Sequence, residues 1–241
     1  MGKIIAIGGG EIGRPGYPIE TTKIDKEIIR LSGKKRPKFL FIPTASSDSA
    51  EYAEVVKKYF GKKIDCKVDI LYLINKQITK REIRNKILNS DIIYVGGGNT
   101  LKMMTIWRRL GVDKILREAY EKGIVLSGLS AGAICWFKYA NSDSRKFKNK
   151  KAGYIKVSGL GMINVLACPH YNIEKGRKKS LKNMTRKEKI FAIALDNCAA
   201  LEVIGNKCKI LTSKKGANAY RVYWKKGKYY EEKIGDKVFF I

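Results

Sequence analysis

Short apolar, β-prone runs alternate with amphipathic stretches along most of this chain, and that alternation restricts its fold more than any other property. Strand-like runs are read at Lys3 to Ile7, Lys38 to Ile42, Lys67 to Tyr72, Asp91 to Val95, Gly123 to Leu126, Ile163 to Ala167, Phe191 to Leu195 and Ala200 to Ile204. Helical spacing of apolar residues falls between them, at Lys23 to Leu31, Glu51 to Phe60, Thr79 to Leu88, Leu101 to Leu110, Val112 to Glu121 and Lys178 to Met184. Strands that alternate with helices build βαβ units, so the expected fold class is α/β, a doubly wound, mostly parallel sheet with helices on both faces. The tail changes character: Tyr220 to Trp224 and Tyr229 to Ile234 flank Lys225-Lys226-Gly227-Lys228 as a C-terminal β-hairpin extension would. Without an internal repeat or low-complexity linker, residues 1–241 read as one domain, β-rich from about residue 206. Asn141 to Lys151, polar and lysine-rich, reads as an exposed loop.

Composition narrows the setting. The apolar run at the N-terminus is too short for a signal peptide, and no stretch approaches the roughly 20 residues of a membrane span. Five cysteines are widely spaced with no C-x-x-C pair, so neither a zinc site nor a disulfide framework is indicated and a reducing cytoplasm fits best. The net charge of +28 invites a nucleic-acid reading. Its 38 Lys and 12 Arg are spread along the whole chain, however, and arginine is the residue favoured for bidentate recognition. Specific nucleic-acid binding is therefore not expected, nor is a membrane partner.

Chemistry concentrates at Gly128-Leu129-Ser130-Ala131-Gly132, a G-x-S-x-G pentapeptide between the apolar run Gly123-Ile124-Val125-Leu126 and the helix-prone Ala133 to Phe137. In that setting a serine sits on a strained elbow with its hydroxyl exposed, and the helix start behind it supplies N–H groups for a developing oxyanion. The alternative is close packing of a helix on a sheet, with Ser130 as an N-cap. The only histidine, His170, follows another strand-like run, and a serine nucleophile needs such a base within hydrogen-bond reach. Both residues lie past the carboxyl ends of expected parallel strands, where ligands collect in open α/β sheets. Gly96-Gly97-Gly98-Asn99-Thr100 is a second glycine-rich strand-to-helix turn. It fits a donor loop for an oxyanion, or a tight turn with Asn99 or Thr100 capping the helix, and it lacks nucleotide-binding spacing.

Together, Tyr94 to Thr100, Gly128 to Ala133 and Pro169-His170-Tyr171, with Phe41 to Ser46, resemble the peptidase E family of serine hydrolases, which contains aspartyl dipeptidases and cyanophycinases. The resemblance implies a class I glutamine-amidotransferase-like fold, a flavodoxin-like three-layer sandwich, with no metal and no cofactor. It implies Ser130 as nucleophile, His170 as general base and the N–H groups of Gly98 and Ala131 as the oxyanion hole. Asp143 is the expected third member, with a solvated loop acid as its other reading. A second acidic position of the family falls on Asn197, a departure that weakens a Ser-His-Glu arrangement, although Asp196 and Glu202 stand nearby. Arg177, then Arg186, is the expected partner of a substrate carboxylate, with Asn99 as a further substrate contact. The expected activity is cleavage of short peptides, including dipeptides with an N-terminal aspartate, through an acyl-enzyme. Another amide substrate, or a catalytically silent binding protein of the same fold, is the alternative. A small peptide is the expected partner, and a homodimer the expected assembly if the chain associates.

Overall fold

A computed structural model describes residues 1–74, 77–174, 176–235 and 237–241. In chain order the elements are β1 (Lys3–Ile7), α1 (Thr22–Ser32), β2 (Lys38–Ile42), α2 (Ala50–Val56, continuing as a π-helical stretch Lys57–Lys63), β3 (Lys67–Ile70), α3 (Lys80–Leu88), β4 (Ile92–Val95), α4 (Thr100–Leu110) and α5 (Val112–Glu121). Then follow β5 (Val125–Leu129), α6 (Ala131–Ile134), β6 (Phe137–Ser142), β7 (Ile155–Ser158), β8 (Ile163–Cys168), α7 (Arg177–Glu188), β9 (Ala192–Leu195), β10 (Ala199–Ile204), β11 (Lys207–Thr212), β12 (Ala219–Lys225), β13 (Lys228–Lys233) and β14 (Phe239–Phe240).

The central sheet runs β14-β11-β10-β1-β5-β4-β2-β3. Its β1, β5, β4, β2 and β3 are parallel, and β10, β11 and β14 complete it antiparallel. The inner parallel strands β1, β5, β4 and β2 are almost continuously buried because both faces are covered, whereas the edge strand β3 is largely exposed. Ile5, Ile7, Phe39, Phe41, Tyr94 and Val125 pack under α1 and α2 on one face. The alternate residues Ile4, Ala6, Leu40, Ile42, Ile93 and Leu126 meet Ile83 and Ile87 of α3, Met103 and Trp107 of α4, and Leu116 of α5 on the other.

The α/β class and the largely parallel central sheet are as expected, and a second sheet stands beside it. β8 and β9 leave the central sheet and form a second one, ordered β13-β12-β9-β8-β6-β7. Its inner residues Val165, Ala167, Ile193 and Leu195 join the core shared with α3 to α5, while Leu166, Cys168, Ala192 and Ala194 turn outward to Leu181 of α7. The C-terminal hairpin forms around Lys226-Gly227, and β12 adds to β9, so it is an edge of this second sheet. The expected helix over Ala133 to Phe137 is also shorter than read: α6 ends at Ile134 and the chain enters β6. Asn141, Ser142 and Ser144, read as exposed loop, are buried, because hydrogen bonds pair them to one another and to Ser180, Leu101 and Arg177.

The elbow depends on backbone closeness. A Cβ built on Gly132 would overlap the carbonyl of Val95, and one on Gly128 would meet both that carbonyl and that of Gly132. Neither neighbour is a side chain that can move aside. Gly132→Ala is therefore expected to destabilise the protein by about 3 kcal/mol or more, read as a lower midpoint in denaturant titration. An unchanged midpoint would contradict this packing.

Candidate active site

The register of the central sheet brings the chemistry-bearing turns to one edge. β5 ends at Leu129, beside β1 on one side and β4 on the other, so Ser130 emerges next to the loop after Ile7 and the glycine turn after Val95. Ser130 has φ 57° and ψ −113°, and its N–H donates to the Ile7 carbonyl (3.0 Å). A non-glycine residue in that region is strained and persists only where its surroundings hold it. Its side chain makes no capping bond to α6, so the N-cap alternative is not what the structure adopts.

The hydroxyl of Ser130 instead donates to His170 Nε2 at 2.8 Å. His170 lies past Pro169 at the end of β8, also at positive φ (50°), and its N–H donates to the Gly8 carbonyl (3.1 Å). The second sheet thus meets the first at the β1 loop, and this contact sets the imidazole over the elbow. On the other ring edge, Nδ1 faces the Asn197 amide oxygen at 2.7 Å. With the oxygen so turned, Nδ1 carries the proton and Nε2 is free to accept one. Asn197 follows β9, and its own N–H donates to Asn172 Oδ1 (3.0 Å). Burial holds the His170 pKa below its ordinary value and outweighs the hydrogen bond to Asn197, which acts in the opposite direction. A buried neutral imidazole is a base.

Gly97 lies beside Ser130, and its N–H donates to the Tyr52 hydroxyl (3.4 Å). Burial pushes the Tyr52 phenol up to about 12, so it stays protonated. Gly98, at φ 137°, sits on the Ala45 carbonyl with no room for a side chain. Ala131 opens α6 directly after the serine. Ser130, His170, Asn197, Gly97 and Tyr52 line one cleft of about 610 Å³, which is the size of small-molecule and peptide sites.

Several residues expected at the site lie elsewhere. Asp143 makes no hydrogen bond to His170: its carboxylate stands 3.9 Å from Arg177 and acts on the imidazole only through its charge. Arg177 is 1% exposed and does not line the cleft. Its Nε and Nη2 bond Glu174 Oε2 (3.0 and 2.6 Å) and its Nη1 bonds the Asn141 carbonyl (2.9 Å), so its fork is already occupied. Arg186 stacks over Trp224 at 5.1 Å. Asn99 caps α4, accepting from Lys102 N–H (3.0 Å), and its amide donates to the Ser144 carbonyl (3.2 Å), which is the capping role left open by its sequence context. Asp196 accepts from Asn218 N–H (3.0 Å) and Glu202 pairs with Glu27, so neither touches the imidazole. Glu174 in the cleft wall was missed by sequence reasoning; its position four residues after His170 was the available signal. Among the described residues no group of three or more His, Cys, Asp or Glu could hold a metal ion, and no helix is long and apolar enough to cross a membrane.

The family model for peptidase family S51 matches residues 4–211. The uncharacterized peptidase YgaJ of Bacillus subtilis (strain 168) is 36% identical over 227 residues, covering 92% of this chain and 92% of that protein. The uncharacterized peptidase Lin0382 of Listeria innocua serovar 6a is 30% identical over 166 residues, 64% of this chain and 75% of that protein. Among solved structures, a peptidase from an acI-B1 Actinobacterium superposes with a TM-score of 0.74 at 19% identity, covering 100% of this chain and 97% of that one. The last likeness speaks for the fold alone.

Proposed function

The chain belongs to peptidase family S51, and from that premise we propose that it is a serine-type peptidase that opens short peptides through an acyl-enzyme on Ser130. The observation that carries this reading is the hydrogen-bonded series Ser130, His170, Asn197 in the wall of a peptide-sized cleft. Ser130 Oγ attacks the peptide carbonyl carbon as its proton passes to His170 Nε2. The negative charge formed on the carbonyl oxygen is taken by the N–H groups of Ala131 and Gly98. Collapse breaks the C–N bond, and His170 returns the proton to the leaving amine. Water then attacks the acyl carbon with His170 again as base, and the acid is released.

Asn197 has a narrower role than an aspartate would. Its amide oxygen fixes the tautomer and orientation of the ring, as asparagine does in cysteine peptidases with a Cys-His-Asn series. It brings no negative charge to the imidazolium. Cleavage after an N-terminal aspartate has lost its expected arginine, since Arg177 is buried and paired, so the proposal is held to short peptides.

The test is a screen of a dipeptide and short-peptide library with purified protein, using Ser130→Ala as the blank. Release of amines by the wild type alone is expected; release that persists in the blank contradicts the reading. The pH profile gives a second check. His170 must be neutral to act, so kcat/KM is lost as pH falls through its lowered pKa. The acid limb is therefore expected below about pH 6.5, the ordinary histidine value, and a midpoint above it would contradict the burial of the base.

A further inference from the structure

The lining of the cleft is rich in carboxylates, although the chain around it is strongly basic. The whole protein has a net charge of +28, yet the described residues lining the cleft include four carboxylates, Glu11, Glu20, Glu51 and Glu174, against one guanidinium, Arg14. Arg14 is bound to Glu11. Glu20 is bound to Lys214, and Glu51 accepts from Ser49 at the start of α2. Glu174 is held differently. Its Oε2 takes the Tyr154 hydroxyl (3.0 Å) and both Arg177 bonds (3.0 and 2.6 Å), while its Oε1 has no hydrogen-bond partner among the described residues. Arg177 lies buried behind it, so the carboxylate is clamped by one oxygen and presents the other.

Glu174 also sits on the same turn as the base: its N–H donates to the His170 carbonyl (3.3 Å). Burial would raise its pKa, but the charge and hydrogen bonds of Arg177 prevail and hold it below the ordinary range, so it is ionised at neutral pH. A fixed carboxylate in a partly desolvated cleft attracts a cation and repels an anion more strongly than one in open water. We propose that Glu174 sets the specificity of this cleft by binding a cationic group of the substrate, a free α-ammonium or a lysine or arginine side chain close to the bond that is cut. Arg177 and Tyr154 are its positioning residues. The proposal rests on the reading of Ser130 and His170 as the reacting pair, and it opposes a preference for aspartyl substrates.

Binding to the Ser130→Ala protein tests it without turnover, so its failure is distinct from failure of that reading, which labelling of Ser130 in the wild type scores separately. The probes are four tetrapeptides studied by calorimetry: tetra-alanine, its N-acetyl form, an N-acetyl form with one lysine, and an N-acetyl form with one aspartate. A cationic peptide is expected to bind about tenfold more tightly than acetylated tetra-alanine, the order supplied by one hydrogen bond to a charged group. Preference for the free amine identifies the α-ammonium as the cation, and preference for the lysine peptide identifies the side chain. Adding Glu174→Gln, with its fold checked by circular dichroism, is expected to erase the preference. Equal binding of all four peptides, tightest binding of the aspartate peptide, or a preference that survives in a folded Glu174→Gln protein would overturn the proposal. The peptide arms decide it even if that variant does not fold.

Discussion

Replacing Ser130 or His170 with alanine is expected to lower kcat for any peptide the wild type cleaves by about 10⁶-fold, the loss seen when either member of a serine-peptidase pair is removed. The size follows from the geometry. Ser130 Oγ and His170 Nε2 are joined at 2.8 Å, and each is ineffective without the other, so the double variant should be no worse than either single one. Thermal midpoints should stay near that of the wild type, since neither side chain fills the core. The check is single-turnover and steady-state kinetics on the three variants. Additive losses, each of a few-fold, would mean that the hydrogen bond is structural and that the chemistry lies elsewhere.

The second large effect belongs to Asn197 and separates it from Asp143. Asn197→Ala removes the acceptor that fixes the ring and is expected to cost about 10²-fold in kcat with little change in KM, at the low end for general-base catalysis because the lost group is uncharged. Asn197→Asp should keep the ring in place and add a negative charge to it, raising the His170 pKa and moving the acid limb of kcat/KM to higher pH. Asp143→Asn should be nearly silent, because its carboxylate faces Arg177 at 3.9 Å and has no contact with the imidazole. A crippling Asp143→Asn with a silent Asn197→Ala would reverse this assignment.

Legibility of the site tracked the local or non-local nature of each feature. The elbow was readable because its causes are local: a strand, a serine, and glycines at the two places where a Cβ would strike a neighbouring backbone. The inner parallel strands of the central sheet were readable for the same reason, as almost continuous apolar runs covered on both faces. Assignment of β8 and β9 to a second sheet was not, because their composition satisfies either sheet and only the pairing with β6 and β12 decides. β6 was hidden in two ways. Its first residues continue an apolar run with no clear period, and near its end stands Asn141, a polar residue whose burial depends on partners nearly 40 positions away.

The arginine and the acid failed together, and for one reason. Arg177 and Asp143 both belong to a charge cluster with Glu174, which itself lines the cleft, and sequence alone gives each residue its charge without giving its partner. Asn197 was located by its position after β9 but carried no charge to mark it. The distance that identifies it, 2.7 Å to Nδ1, is created by the meeting of two sheets.

Activation of Ser130 as a nucleophile is measured by reaction with a peptidyl phosphonate followed by intact-protein and peptide mass spectrometry. One adduct per chain is expected, located on Ser130, formed rapidly by the wild type and Asp143→Asn proteins and almost undetectably by His170→Ala. An unlabelled wild-type protein, or labelling of Ser130 at the same rate without His170, would contradict it.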